Sequence, residues 1–167
     1  MQVLTRSLAE CRTPADVAEA SAALIALQRR LMYAGVAGHQ TGLLIADAVD
    51  SLTRRLIVLA EQELGPAPGA YAWLACGSQG RGEQAVHTDQ DNALIYADGL
   101  PKGADSWFAG LAERVTQGLA DCGIEHCPGG VGPDHTDWRR PGTTRLWRSI
   151  RTRKTFHCLL QDDLSVQ

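Results

Sequence analysis

What the chain lacks narrows its reading first. It contains no stretch of about 18 apolar residues, the minimum for a membrane-spanning helix, so no membrane span is expected. Met1 to Glu10 has no apolar core, so no secretory signal is expected either. The five cysteines are odd in number and form no Cys-x-x-Cys pair, which argues against a disulfide framework. The spacing of Cys122, His126, Cys127 and His135 fits no standard zinc pattern. A reducing cytoplasm is the expected setting. Strong charge bias is also missing. The net charge is −3, so a general affinity for nucleic acid is not expected. Seven of the sixteen basic residues do gather near the C-terminus, from Arg139 to Lys154, and this run reads as a solvated face.

What is present is enough for one domain with a helical extension: 167 residues, 44% of them hydrophobic. The stretch that organises the chain runs from Tyr71 to Asp98. Tyr71 to Cys76 is apolar and aromatic and suits a buried strand. It ends in Gly77-Ser78, followed by Gly80, Arg81 and Gly82. Glycines let the backbone turn tightly and approach a ligand. Successive backbone N–H groups in such a turn form an anion-binding concavity, and an arginine adds a fork of donors suited to phosphate. Asp89-Gln90-Asp91 then opens a second strand through Ala93 to Tyr96.

Side chains alternate along a strand, so Asp89 and Asp91 should share a face and Gln90 should point away, toward the core or the helices. At about 3.3 Å per residue the two aspartate Cα atoms should lie about 6.5 Å apart. Two carboxylates at that spacing beside a phosphate-holding turn suit a hard divalent cation, Mg²⁺ or Mn²⁺. Glu83 is expected to hold Arg81 or a turn amide. Thr88 and Asn92 are expected to support the aspartates, and His87 to face solvent.

The stretch GSQGRGEQAVHTDQDNALIY resembles the DNA polymerase β-type nucleotidyltransferases, whose signature is a Gly-Ser or Gly-Gly turn, a spacer, and Asp-x-Asp before a strand. Within that superfamily it looks most like the DUF294 family, which is similar in this motif to the uridylyltransferases and adenylyltransferases that modify nitrogen-regulatory proteins. The resemblance implies an α+β fold, with a small polymerase-β-like core built on a mixed sheet flanked by helices. It implies NTP as substrate, with Gly77, Ser78, Gly80 and Arg81 on its phosphates. Asp89 and Asp91 would be the catalytic metal ligands in a two-metal arrangement. The NMP would pass to a protein or small-molecule acceptor, in signal transduction. In the family the run Cys-Pro-Gly-Gly-Val continues with Met-Ala and an Asn before a Trp. Here it continues Gly132-Pro133-Asp134-His135-Thr136-Asp137 before Trp138.

The flanking regions read as scaffold. Thr13-Pro14-Ala15-Asp16 is a helix start, with Thr13 as cap, Pro14 in the first turn and Asp16 at the dipole's positive end. Val17, Leu24, Leu27 and Leu31 recur at helical spacing, and Gly35 and Gly38 close that helix. A longer helix is expected from His39 to Leu64, with the stripe Ile45, Val49, Leu52, Leu56 and Leu59. These two helices form a hairpin that packs on the core. Gly65 to Gly69 is the clearest boundary. Residues 1–66 thus form a helical N-terminal region, 67–150 the nucleotidyltransferase core and 151–167 a tail. After Gly99–Gly103, Asp105 is expected to cap a third helix striped by Phe108, Leu111, Val115 and Leu119, with Trp107 and Phe108 as packing residues. Ile124 to Cys127 is a further strand candidate.

The third carboxylate of such a site has three candidates, Glu125, Asp134 and Asp137, and the pattern singles out none. Relatives carry a helical substrate-binding domain after this point, so acceptor binding is expected to need a C-terminal domain or a partner chain. Two functional classes stay open. One is a working transferase; the other is an NTP·Mg-binding regulatory module with little or no turnover.

Overall fold

Thr13 starts the first long helix by bonding across its open end. In the computed structural model, which describes residues 7–136, 139–141 and 157–161, helix α1 (Pro14–Tyr33) carries a complete capping box. Asp16 N–H donates to Thr13 Oγ1 at 3.2 Å, and Thr13 N–H donates back to Asp16 Oδ2 at 2.9 Å. This satisfies two of the backbone donors that every helix start leaves open. The backbone N–H groups of Arg12 and Thr13 hold the Asp16 carboxyl below its usual range.

Helix α2 (Gly38–Leu64) follows and ends at Gly65, whose φ is +81°. All five stripe residues, Ile45, Val49, Leu52, Leu56 and Leu59, are buried. So are Ala48, Thr53, Ile57 and Ala60. The buried face is wider than one stripe because α2 packs on both α1 and the later helix α4 (Ala104–Asp121).

The strands form a mixed sheet. β1 (Tyr71–Ala75) pairs antiparallel with β3 (Asn92–Tyr96), setting Trp73 opposite Leu94 and Ala75 opposite Asn92. On its other edge β1 pairs antiparallel with β6 (His157–Gln161). β3 pairs in parallel with β5 (Arg139–Pro141). The order is β5-β3-β1-β6. A second, two-stranded ladder joins β2 (Asp89–Gln90) to β4 (Glu125–His126) in parallel. Every residue of β1 and β3 is buried, and Tyr71, Trp73, Leu94 and Tyr96 join the helices in one apolar core. This is the expected α+β arrangement: a helical hairpin, then a mixed sheet flanked by helices.

Phe108 is a packing residue at the centre of that core. Its ring stacks on Tyr96 with centroids 4.3 Å apart and meets Tyr71 edge-on at 5.7 Å. Asp105 departs from its expected role. α4 is capped by Gly103, in the left-handed conformation at φ +94°. Asp105 lies in the first turn, where it accepts a hydrogen bond from Tyr96 Oη at 2.7 Å and faces Arg139 Nε at 3.7 Å. Burial, and then this bond to Asp105, push the Tyr96 hydroxyl up to about 12. Arg139 also departs from the solvated-face reading. It is buried, and Nη1 donates to the carbonyls of Pro133 and Asp134 at 2.9 and 3.3 Å. The basic residues from Arg145 to Lys154 lie outside the described residues, as does Asp137. No helix among the described residues is long and apolar enough to cross a membrane.

Candidate functional site

β1 delivers the chain to Cys76, and Gly77–Gly80 then makes one helical turn, α3. The turn begins at Gly77 with φ +53°, a region open to glycine at little cost. The space over Gly77 is taken by Asp91: a Cβ there would collide with Asp91 Oδ2. The backbone fixes the same approach, since Cys76 N–H donates to the Asp91 carbonyl at 2.7 Å. The glycine turn and the Asp-x-Asp segment therefore meet in space.

Asp89 and Asp91 converge. Together with Cys127 they place one ligand atom each within 4.8 Å of one another, and all three are half-buried. Gln90 points the other way. It is buried, and Nε2 donates to the carbonyls of Thr116 and Ile124 at 2.9 and 2.8 Å. That side chain locks β2 against α4 and the approach to β4, and so holds the two aspartates on the opposite side. Glu125 pairs in register with Asp89, yet neither it nor Asp134 joins the three-residue group among the described residues. The group that completes the cluster is a thiol, which sequence reasoning missed. Its signals were its position after a strand candidate and its place at the head of the Cys-Pro-Gly-Gly-Val run, neither of which points to the aspartates.

The glycine turn meets this cluster at Gly77, and the residues that follow bond to one another. Ser78 Oγ donates to the buried Gln84 Oε1 at 3.1 Å. Arg81 Nε donates to Glu83 Oε2 at 2.9 Å, with both side chains about half exposed. An exposed pair of this kind adds little stability, but it gives the guanidinium a fixed direction. Glu83 N–H donates to Ser78 O at 2.8 Å and Gly80 N–H to Cys76 O at 2.8 Å, closing the loop on itself. Thr88 is half-buried and His87 is exposed. Asn92 is fully buried, with Oδ1 accepting from Trp73 Nε1 at 3.2 Å.

The helical hairpin grips this loop from the outside, a set of contacts without any local sequence signal. Gln79 Nε2 donates to Asp50 Oδ1 of α2 at 2.8 Å, and both side chains are buried. Val86 N–H donates to Gln28 Oε1 of α1 at 2.8 Å. Gly42 of α2 lies so near the loop that a Cβ would sit 3.0 Å from Gly82 O. Burial, and then the charge of Asp91, push the Cys76 thiol up to about 12. A groove of about 750 Å³ runs along α1 past Asp16, Leu27 and Arg30 and contains none of these residues.

Two carboxylates and a thiol within 4.8 Å repel one another when ionised unless a cation sits among them. The donor set therefore fits a divalent metal ion. No curated protein and no solved structure matches the chain. Residues 22–155 match the model of the family described as Putative nucleotidyltransferase DUF294, and the chain, matched over most of its length, belongs to that family.

Proposed function

We propose that the protein is a divalent-metal-dependent nucleotidyltransferase that moves an NMP from an NTP to a protein or small-molecule acceptor and releases pyrophosphate. The observation that carries this reading is the seating of Asp91 over Gly77. It joins a phosphate-type glycine turn and an acidic pair into one site, as nucleotide transfer requires. In this reading Asp89 and Asp91 are the catalytic residues and hold Mg²⁺ or Mn²⁺. A cation bound there supplies Lewis-acid stabilisation of charge on the reacting phosphate and the acceptor oxygen. Gly77, Ser78 and Gly80 hold the β- and γ-phosphates through backbone N–H groups and the Ser78 hydroxyl. Arg81 neutralises phosphate charge, aimed by Glu83. Thr88 and Asn92 keep the β2–β3 segment in place. A protein acceptor, as for the uridylyltransferases that modify nitrogen-regulatory proteins, and a cytoplasmic setting with its NTP pools go with this reading. Acceptor binding by a further domain or a partner chain completes it.

The test is pyrophosphate release from each of the four NTPs. Asp89→Asn and Asp91→Asn should each abolish release and leave the far-ultraviolet circular dichroism spectrum unchanged. Transfer at the wild-type rate by both variants would remove the assignment. A second reading is favoured by the thiol standing where a third carboxylate is expected: an NTP·metal-binding regulatory module without turnover. It predicts a melting temperature raised by NTP and metal with no pyrophosphate released.

A further inference from the structure

The β2–β4 ladder brings an unexpected donor to the acidic pair. In a parallel pair, residues in register point to the same side of the ladder. Asp89 is in register with Glu125 and Gln90 with His126. Continuing that register by one residue sets Cys127 beside Asp91, and the sulfur and the two carboxylates reach within 4.8 Å. The chain then turns away at once, with Gly130 N–H donating to Cys127 O at 3.0 Å. Cys127 is thus held at a strand end by a ladder before it and a turn after it. It also lies outside the apolar core that takes in Cys11 and, at its edge, Cys122, so filling space in that core does not explain it. It is a free thiol and half-buried.

We propose that Cys127 is the third protein ligand of the cation held by Asp89 and Asp91, and that its sulfur shifts the preference of the site from Mg²⁺ toward thiolate-accepting cations such as Co²⁺ and Zn²⁺. This rests on the metal-site reading given above. Mg²⁺ takes oxygen ligands in near-ideal octahedral geometry. Thiolate is a soft donor that favours Zn²⁺ and its borderline neighbours, and carboxylate favours Mg²⁺ and Mn²⁺. A site of two carboxylates and one thiolate is intermediate. The third position therefore sets which cation the family's acidic pair accepts in this chain.

The experiment is titration of the full chain with Co²⁺, without nucleotide, followed by equilibrium dialysis and by the thiolate-to-cobalt charge-transfer band in the near ultraviolet. Wild type should show the band at saturation. Cys127→Ser should lose it and bind Co²⁺ and Zn²⁺ at least about tenfold more weakly, a loss typical of disturbing even an outer-shell partner. Mn²⁺ binding, read by electron paramagnetic resonance, should survive in Cys127→Ser, because both carboxylates remain. Cys127→Asp should lose the band and gain affinity for Mg²⁺, which gives a second readout if the serine variant folds poorly. Co²⁺ binding that is lost in Asp89→Asn/Asp91→Asn but shows no band in wild type would overturn the role of Cys127 and leave the acidic metal site standing. So would a band and affinity unchanged in Cys127→Ser. Failure of wild type to bind Mn²⁺ or Co²⁺ at all would overturn the metal site itself, and Cys127's role with it.

Discussion

Gly77 carries two constraints at one atom. Its backbone has φ +53°, and the volume of a Cβ is already filled by the Asp91 carboxylate. Gly77→Ala must therefore both strain the backbone and push Asp91 aside. The backbone part costs about 1–3 kcal/mol. Denaturant unfolding should show a loss of at least that size, and Mn²⁺ binding should fall with it because Asp91 leaves the cluster. A variant that loses stability but binds Mn²⁺ as tightly as wild type would show that Asp91 has another route to the cation. Gly77, Asp89 and Asp91 were legible in the sequence because each belongs to a contiguous pattern with a physical rationale: a turn that needs glycine, and an alternation that puts two carboxylates on one side. The partner role of Gln90 followed from the same alternation. Cys127 was not legible. It enters through a parallel ladder between segments distant in sequence, and no local pattern specifies which residue a ladder sets beside which.

At the level of elements, helix α2 both fills the core and holds the glycine turn. Its apolar face was readable from the spacing of Ile45, Val49, Leu52, Leu56 and Leu59, and the start of α1 from Thr13-Pro14-Ala15-Asp16. The polar contacts of the hairpin were not readable, because Asp50 and Gln28 lie in helical patterns where a polar residue normally means a solvated position. Strands β5 and β6 were missed for a related reason: short segments at sheet edges carry little alternation, and the basic residues around Arg139 masked it. The bond from Gln79 to Asp50 gives the hairpin a direct hold on α3. Gln79→Ala removes that buried bond to a carboxylate, and the expected loss is about 1–3 kcal/mol of stability. Because Gln79 lies between Ser78 and Gly80, NTP affinity should weaken as well, read as a smaller nucleotide-dependent rise in melting temperature. Lowered stability with an unchanged nucleotide response would mean that the loop keeps its shape without the hairpin.

On the scale of the whole molecule, the break at Gly65 to Gly69 separates two regions of different composition, yet the apolar core runs across it. Leu8, Val17 and Leu24 from the N-terminal segment and α1, Leu52 and Leu56 from α2, Trp73 from β1 and Phe108, Leu111 and Leu119 from α4 form one cluster. A core shared in this way gives neither region a separate apolar centre, so the chain should unfold as a unit. Leu52 is the place to test this, since it is fully buried on α2 and is not itself a candidate ligand of phosphate or metal. Leu52→Ala leaves a cavity and should cost about 2–5 kcal/mol. The far-ultraviolet circular dichroism of the helices and the near-ultraviolet signal of the aromatic core should shift together to lower denaturant, in a single transition. Under the proposed function, Mn²⁺ with NTP should bind the folded chain alone and move both probes back by the same amount. Two separated transitions in Leu52→Ala, with only the first moved by the mutation, would show instead that the hairpin melts off an intact sheet and α4, and that the grip of α2 on the glycine turn is a detachable one.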